Sequence, residues 1–384
     1  MAGKSTSDNR QIESRSGGTR PILLWHWGRR GGGPRFTLEL ARALTAAGEP
    51  LAFSLAAGNE CIAGFAELPG ARVIERTYGS AAEAALALLR VPTMRRRLSR
   101  LIAESDARCV VSTMPHLFNR FLLGAIRKSG ARFIATIHDA TPHPGDRLHV
   151  PMGFVRAEAA TADAIVTLSN HVREQVARWP EAAGTPIATV AHGVFGDAAP
   201  TPKRRGQRAP FELLFLGRLL PYKGLHLLTE AFRRVRATGV DARLRVLGQG
   251  DPSLLGDTRD LEGFTVENRW ASDEEMQKAA RRADVVILPY TEASQSGVVA
   301  IAMGAATPVV ATRVGGLAEQ VIGGETGLLC ETNADSLAQS ILRLAHDPAL
   351  HETLSRGAAR HAATTLSWNA IAAVYAGLAN GELP

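Results

Sequence analysis

Long apolar runs are missing from this chain. Nowhere do eighteen apolar residues follow one another, which excludes a membrane-spanning helix. Cysteine is scarce: Cys61, Cys109 and Cys330 are scattered, odd in number and without ligand spacing. Neither a disulfide framework nor a zinc site is indicated. Aromatic residues make up only 5%, too little stacking surface to favour a nucleic-acid binder. No Asp-x-Asp occurs, so a divalent metal held by carboxylates on a diphosphate is not suggested, and no metal or other cofactor is expected. Gly3-Lys4-Ser5 lacks the upstream glycine of a phosphate-binding P-loop. Gly248-Gln249-Gly250 follows a strand, but Ser253 stands where a dinucleotide fingerprint needs glycine. Residues 1–19 are polar and lack the apolar stretch of a signal peptide; they are expected to be a disordered tail that stays on the protein.

What remains is a chain of 384 residues, 45% hydrophobic and 21% charged, which is two domains' worth of globular protein. A cytoplasmic enzyme is the leading expectation. The net charge of +7 is unevenly placed: residues 1–199 carry 24 basic against 17 acidic side chains, and the rest carry 20 of each. The first half is therefore expected to meet something anionic: a membrane surface, an acidic acceptor or nucleic acid.

Short apolar runs alternate with helical stretches along the chain. PILLWHW, LAFSLAA, ARVIER, CVVSTM, ARFIATIHD, AIVTLS and ATVAHG read as strands of the first half. FTLELARALTAAG reads as a helix with Leu38, Ala41 and Leu44 on one face and Gly48 as its C-cap. FELLFLG, ARLRVLG, GFTVE, DVVILPY, TPVVAT and GLLC are the strands of the second half. Buried strands alternating with helices argue for parallel sheets, hence an α/β fold of two Rossmann-like domains facing each other across a cleft. The domains are expected at 20–198 and 211–365, joined by a linker at 199–210 that is rich in proline and charge. A last helix, about 366–384, is expected to pack back on the first domain. Ligands of such folds lie at the carboxyl ends of the strands.

Two segments carry phosphate chemistry. In FLGRLLPYKGLHLLTEAF a strand ends at Gly217, and Arg218 and Lys223 flank a turn into a helix. Two cations beside a helix N-terminus can cradle a diphosphate; solvated loop charges would read the same way. In ADVVILPYTEASQSGVVAIAMGAATPVVATRVGG, Gly297 opens a small-residue helix, and the N–H groups near Ser296, Gly297 and Val298 can hold a phosphate. Close strand–helix packing alone would also explain the small residues.

Together these segments resemble the donor domain of GT-B glycosyltransferases of family 4, also called group 1. The resemblance covers roughly residues 20–380 and is densest from Phe211 to Cys330, with LGQGD, SDEEMQKAARRADVVILPY, TPVVATRVGGLAE and GETGLLC in the family's order. It implies a retaining, metal-independent hexosyltransferase using a nucleotide-sugar donor, with UDP or GDP expected. Arg218, Lys223, Ser296, Gly297 and Val298 would hold the diphosphate, and Gly217, Glu292, Ser294 and Gln295 would meet the sugar and nucleotide. The family often carries two glutamates eight residues apart, one near the donor sugar and one on the ribose; here Ala293 and Ile301 stand at those places. Polar side chains or backbone groups would then do that work.

In the first half, the turn GRRGGGPR places Gly31, Gly32 and Gly33 before a helix, where they would touch phosphate or acceptor or serve only a flexible loop. His138 and Asp139 end a strand, with His143 and His149 beyond, and the resemblance makes them the catalytic pair nearest the transferred sugar. His192-Gly193-Val194 reads as an interdomain hinge.

The acceptor is expected to be a glycan or a lipid-linked oligosaccharide in bacterial cell-surface polysaccharide assembly. A soluble small-molecule acceptor, a sugar-nucleotide epimerase of the same fold and a non-catalytic basic binder are the alternatives. Val91 to Glu104 sets Arg95, Arg96, Arg97 and Arg100 on one face and Met94, Leu98, Leu101 and Ile102 on another. Such a helix either rests peripherally on an anionic membrane, at the inner face of the cell membrane, or packs on the core with a solvated basic face.

Overall fold

The computed structural model describes residues 19–78, 81–145, 150–205 and 210–383. Residues 1–18 of the expected tail, His149 and linker residues 206–209 lie outside the described residues.

Strands form at all thirteen expected places, the seventh shifted: it runs Ile187–Thr189 and shares only Ala188 and Thr189 with the expected ATVAHG. In the first half they are β1 Ile22–His26, β2 Leu51–Ala56, β3 Ala71–Glu75, β4 Cys109–Ser112, β5 Arg132–Ile137, β6 Ala164–Thr167 and β7 Ile187–Thr189. They make one seven-stranded sheet in the order β3-β2-β1-β4-β5-β6-β7. The second half holds β8 Phe211–Leu216, β9 Ala242–Leu247, β10 Phe264–Glu267, β11 Val285–Leu288, β12 Val309–Thr312 and β13 Gly327–Cys330. Their order is β10-β9-β8-β11-β12-β13. Every pairing in both sheets is parallel. In each sheet the order of strand addition reverses beside the first strand, between β1 and β4 and between β8 and β11, and that switch opens a crevice at the carboxyl ends.

The period-two rule sorts β1 between two layers. Ile22 and Leu24 join the core under the helix Gly32–Ala46, while Leu23 and Trp25 join the layer under the helices Val91–Ser105 and Asn119–Ser129. Strands covered on both faces read as continuous apolar runs, which is why they were legible. The edge strands β3 and β10 are largely unburied, and the edge strand β7 is half-buried.

The helix Gly32–Ala46 buries Leu38, Ala41 and Leu44, as their spacing predicts. Gly48 lies one residue beyond the C-cap, which is Ala47; at φ 83° it takes the left-handed position, and Glu49 N–H closes onto Leu44 O at 3.0 Å. Met94, Leu98, Leu101 and Ile102 of Val91–Ser105 are all buried in the core, so none of them can enter a bilayer.

The segment read as a linker is held down. Lys203 Nζ donates to Ala280 O, Ala283 O and Thr307 Oγ1 at 2.9, 2.6 and 2.7 Å, and Arg205 pairs with buried Asp284 at 3.4 Å. Lys203 thus caps backbone carbonyls of the second half, and Arg205 meets the Asp284 carboxylate. The chain crosses between halves at His192–Gly196, where Val194 N–H donates to Leu366 O at 3.0 Å and Trp368 Nε1 donates to Val194 O at 2.7 Å. The final helix, Trp368–Asn380, returns to the first half: Tyr375 Oη meets Thr136 Oγ1 at 2.8 Å and Arg132 Nε donates to Leu378 O at 3.2 Å.

Candidate active site

The two crevices face one another around a cavity of about 870 Å³. On its wall lie Gly31, Gly32, Gly33, His138 and Asp139 from the first half. Gly217, Arg218, Lys223, Gln295, Ser296, Gly297 and Val298 face them from the second, with Ile301 beside Val298. Glu292 and Ser294 are not on the wall; both hold His143, which is.

Lys223 is the most unusual group. It closes the turn Pro221–Lys223 before the helix Leu225–Ala237 and is only 8% exposed. Its Nζ lies 3.6 Å from the centre of the Tyr290 ring and 4.7 Å from that of Tyr222, and among the described residues it makes no ion pair. Burial, then the neighbouring Arg218 charge, brings its amine down to about 7, against a weaker opposing pull from Asp139. A cation desolvated on aromatic faces without a carboxylate is built to receive an anion. Arg218, exposed on the same wall, adds a second charge.

The expected phosphate-binding N–H groups need a correction. Ser296 N–H already donates to Gln320 Oε1 at 2.7 Å, and Gln320 Nε2 returns a bond to Ser296 O at 3.3 Å. A residue 24 positions away thus consumes the donor that a helix start would otherwise offer. Gly297 and Val298 N–H keep no acceptor among the described residues. His192, at the hinge, lies beneath Gly297, where a Cβ would come within 3.3 Å of its Nε2.

The histidines divide by charge. His138 donates from Nε2 to Thr113 O at 2.8 Å, and burial keeps its ring below the ordinary histidine range, so it is neutral and offers Nδ1 as an acceptor. Burial likewise brings His192 down to about 4 and His26 to about 3. His143 is the opposite. Its Nε2 donates to Asp139 and its Nδ1 to Glu292, each at 3.0 Å, and its ring stacks on Tyr222 with centroids 4.6 Å apart. Burial opposes its charge, but the two carboxylates outweigh burial and raise it. Burial would also raise Asp139; the His143 bond and charge overcome that and hold it low.

Sequence reasoning missed that His143 joins the halves, since Glu292 is 149 residues away. It also missed Arg35, which pairs with Asp273 across the cleft at 2.9 Å, and Glu319, whose carboxylate accepts Asn170 and His171 N–H, both at 2.7 Å. No local pattern marks such contacts. Glu319→Ala is expected to weaken this seam by about 1 kcal/mol, about fivefold in the closing equilibrium. Small-angle scattering would then show a larger radius of gyration than the native protein gives.

A model of glycosyl transferases group 1 matches residues 210–347, and one of glycosyltransferase family 4 matches residues 30–215. The chain belongs to the group 1, family 4 glycosyltransferases. Among relatives, it is 28% identical over 231 residues to a glycogen synthase of Mycobacterium tuberculosis, covering 58% of this chain and 56% of that one. It is 33% identical over 261 residues to a D-inositol 3-phosphate glycosyltransferase of Saccharomonospora viridis, 62% of this chain and 60% of the relative. The chain thus spans little more than half the length of these relatives. In fold it is similar to a sucrose-phosphate synthase from Thermosynechococcus elongatus, with TM-score 0.71 at 20% identity over 94% of this chain and 98% of that one. Anabaena HepE in complex with UDP and glucose gives 0.72 at 16% identity over 94% and 100%. At these identities the likeness establishes the two-domain GT-B fold alone.

Proposed function

We propose that this glycosyltransferase moves a sugar from a nucleoside diphosphate donor to an acceptor hydroxyl with retention of configuration. The observation that carries the reading is Lys223, a buried amine on the wall of the interdomain cavity that makes no ion pair among the described residues. The diphosphate leaving group is stabilised by Lys223, Arg218 and the N–H groups of Gly297 and Val298, all fixed before the substrate arrives. Fixed positive charge of this kind replaces a metal ion in the proposed mechanism. His138 accepts a hydrogen bond from a sugar hydroxyl at Nδ1; being neutral and tied to Thr113, it positions rather than protonates. The acceptor attacks on the face that the diphosphate leaves, and a departing phosphate oxygen takes its proton. Closure of the halves keeps water, the competing acceptor, out.

UDP and GDP sugars are the proposed donors. The proposed acceptor is a glycan carried on a lipid in cell-surface polysaccharide assembly. The fold is shared with a putative UDP-N-acetylglucosamine 2-epimerase from Listeria monocytogenes, at TM-score 0.65, so fold does not choose between transfer and epimerisation; family membership favours transfer. A thermal-shift panel of UDP, GDP, dTDP and ADP with their sugars, run in EDTA, tests the reading. One nucleotide is expected to stabilise the protein by about 2–3 kcal/mol at a hundredfold excess over Kd. No shift with any of them sinks the donor site.

A further inference from the structure

The basic excess of the first half has an address. Residues 81–129 carry nine lysines and arginines against three acidic residues, which is six of the seven excess charges of residues 1–199. The helices Val91–Ser105 and Asn119–Ser129 lie side by side on one face of the first sheet, both anchored in the same core layer. Their outward sides present Arg96, Arg100, Arg120, Arg127 and Lys128, all exposed.

Beside this basic face the helix Ala81–Leu88 ends in bare hydrocarbon. Leu86 is 66% exposed, Leu88 47% and Leu89 80%. Scattered exposed leucines need no explanation, but three within four residues, bordered by a dense arginine array, form a patch. Tyr78, three residues before this helix, packs on His116 in the loop after β4, at the cleft end of the sheet.

We infer that this face docks on an anionic lipid surface, with Leu86, Leu88 and Leu89 inserted at the acyl boundary and the arginines on the headgroups. Hydrocarbon and positive charge on one face match the two layers of such an interface. A nucleic-acid backbone would use the charge and leave the leucines in water. The buried stripe of Val91–Ser105 takes no part; the inserted residues belong to the helix before it. Docking stands independently of sugar transfer. That the surface delivers a lipid-borne acceptor to the cleft rests on the proposed function.

The test is flotation of the full chain with vesicles of phosphatidylglycerol and phosphatidylcholine, against pure phosphatidylcholine, at low and high salt. Native protein is expected to float with anionic vesicles only, and less at high salt. Leu86→Ser with Leu89→Ser is expected to reduce partitioning by about a hundredfold, and Arg96→Glu with Arg100→Glu by at least about twentyfold. Both double variants should keep the native nucleotide-induced thermal shift, which separates loss of docking from loss of the donor site or of the fold. Absence of flotation at low salt overturns the inference, as does flotation that neither double variant changes. Retention on a DNA duplex that both leucine replacements leave intact, without vesicle binding, would assign the face to nucleic acid instead.

Discussion

Donor affinity is expected to fall about tenfold for each pH unit above 7, and Lys223→Arg is expected to abolish that slope. The sign follows from burial. The Lys223 amine, brought down to about 7 by desolvation and the Arg218 charge, is half neutral near pH 7 in the empty cleft. Only the ammonium attracts a diphosphate, so binding must take up a proton, and each further pH unit removes nine-tenths of the competent form. A guanidinium stays charged throughout and keeps no such slope. Protein stability responds in the opposite sense. The unfolded chain holds this proton up to the ordinary lysine range while the folded chain releases it near 7, so this group makes the empty protein more stable as pH rises between those values. Calorimetric titration with the preferred nucleotide at pH 6.5, 7.5 and 8.5 reads the affinity directly. A flat profile in the native protein would mean that Lys223 is not at the diphosphate. Lys223→Ala is expected to weaken binding at least about a hundredfold at pH 6.5, where the native amine is mostly charged.

The second large effect is at Gly224. This residue follows Lys223 and caps the helix Leu225–Ala237 at φ 65°, a left-handed conformation. A methyl group there would come within 1.8 Å of the Pro289 carbonyl oxygen, a backbone atom at the end of β11 with no freedom to move aside. Gly224→Ala is therefore expected to destabilise the second half by about 3 kcal/mol. For a unit of that size the midpoint of unfolding should drop by about 6–12 °C in scanning calorimetry. Nucleotide binding should fall with it, because relief of the clash moves Lys223 off its two tyrosine rings. Gly239→Ala is the control: its φ is also left-handed, at 84°, but nothing lies within 4 Å of the added carbon. If both variants melt alike, the clash is not what sets the cost.

Much of this protein was legible in its order of residues because the governing physics is local. Alternation of buried strands with helices follows from repeats of two and 3.6 residues, and it marked all thirteen strands. The Gly217-Arg218 and Lys223-Gly224 pairs announced a cationic turn at a strand end, since chain direction brings such turns to the crevice. What the folded chain decided was the state of those groups. Lys223 becomes a buried amine that makes no ion pair among the described residues because Tyr222 and Tyr290 close over it. Ser296 N–H ceases to be a phosphate donor because Gln320 reaches it, and Glu292 turns from the cavity wall to His143. Lys203 and Arg205 tie the expected linker to the second half, and the membrane-like stripe of Val91–Ser105 proves to be core while Leu86, Leu88 and Leu89 stay bare. Residue order specifies which donors, charges and apolar groups exist and at what local spacing. Which of them remain unpaired depends on partners tens to hundreds of positions away, and only packing brings those partners within hydrogen-bond reach or leaves them in water.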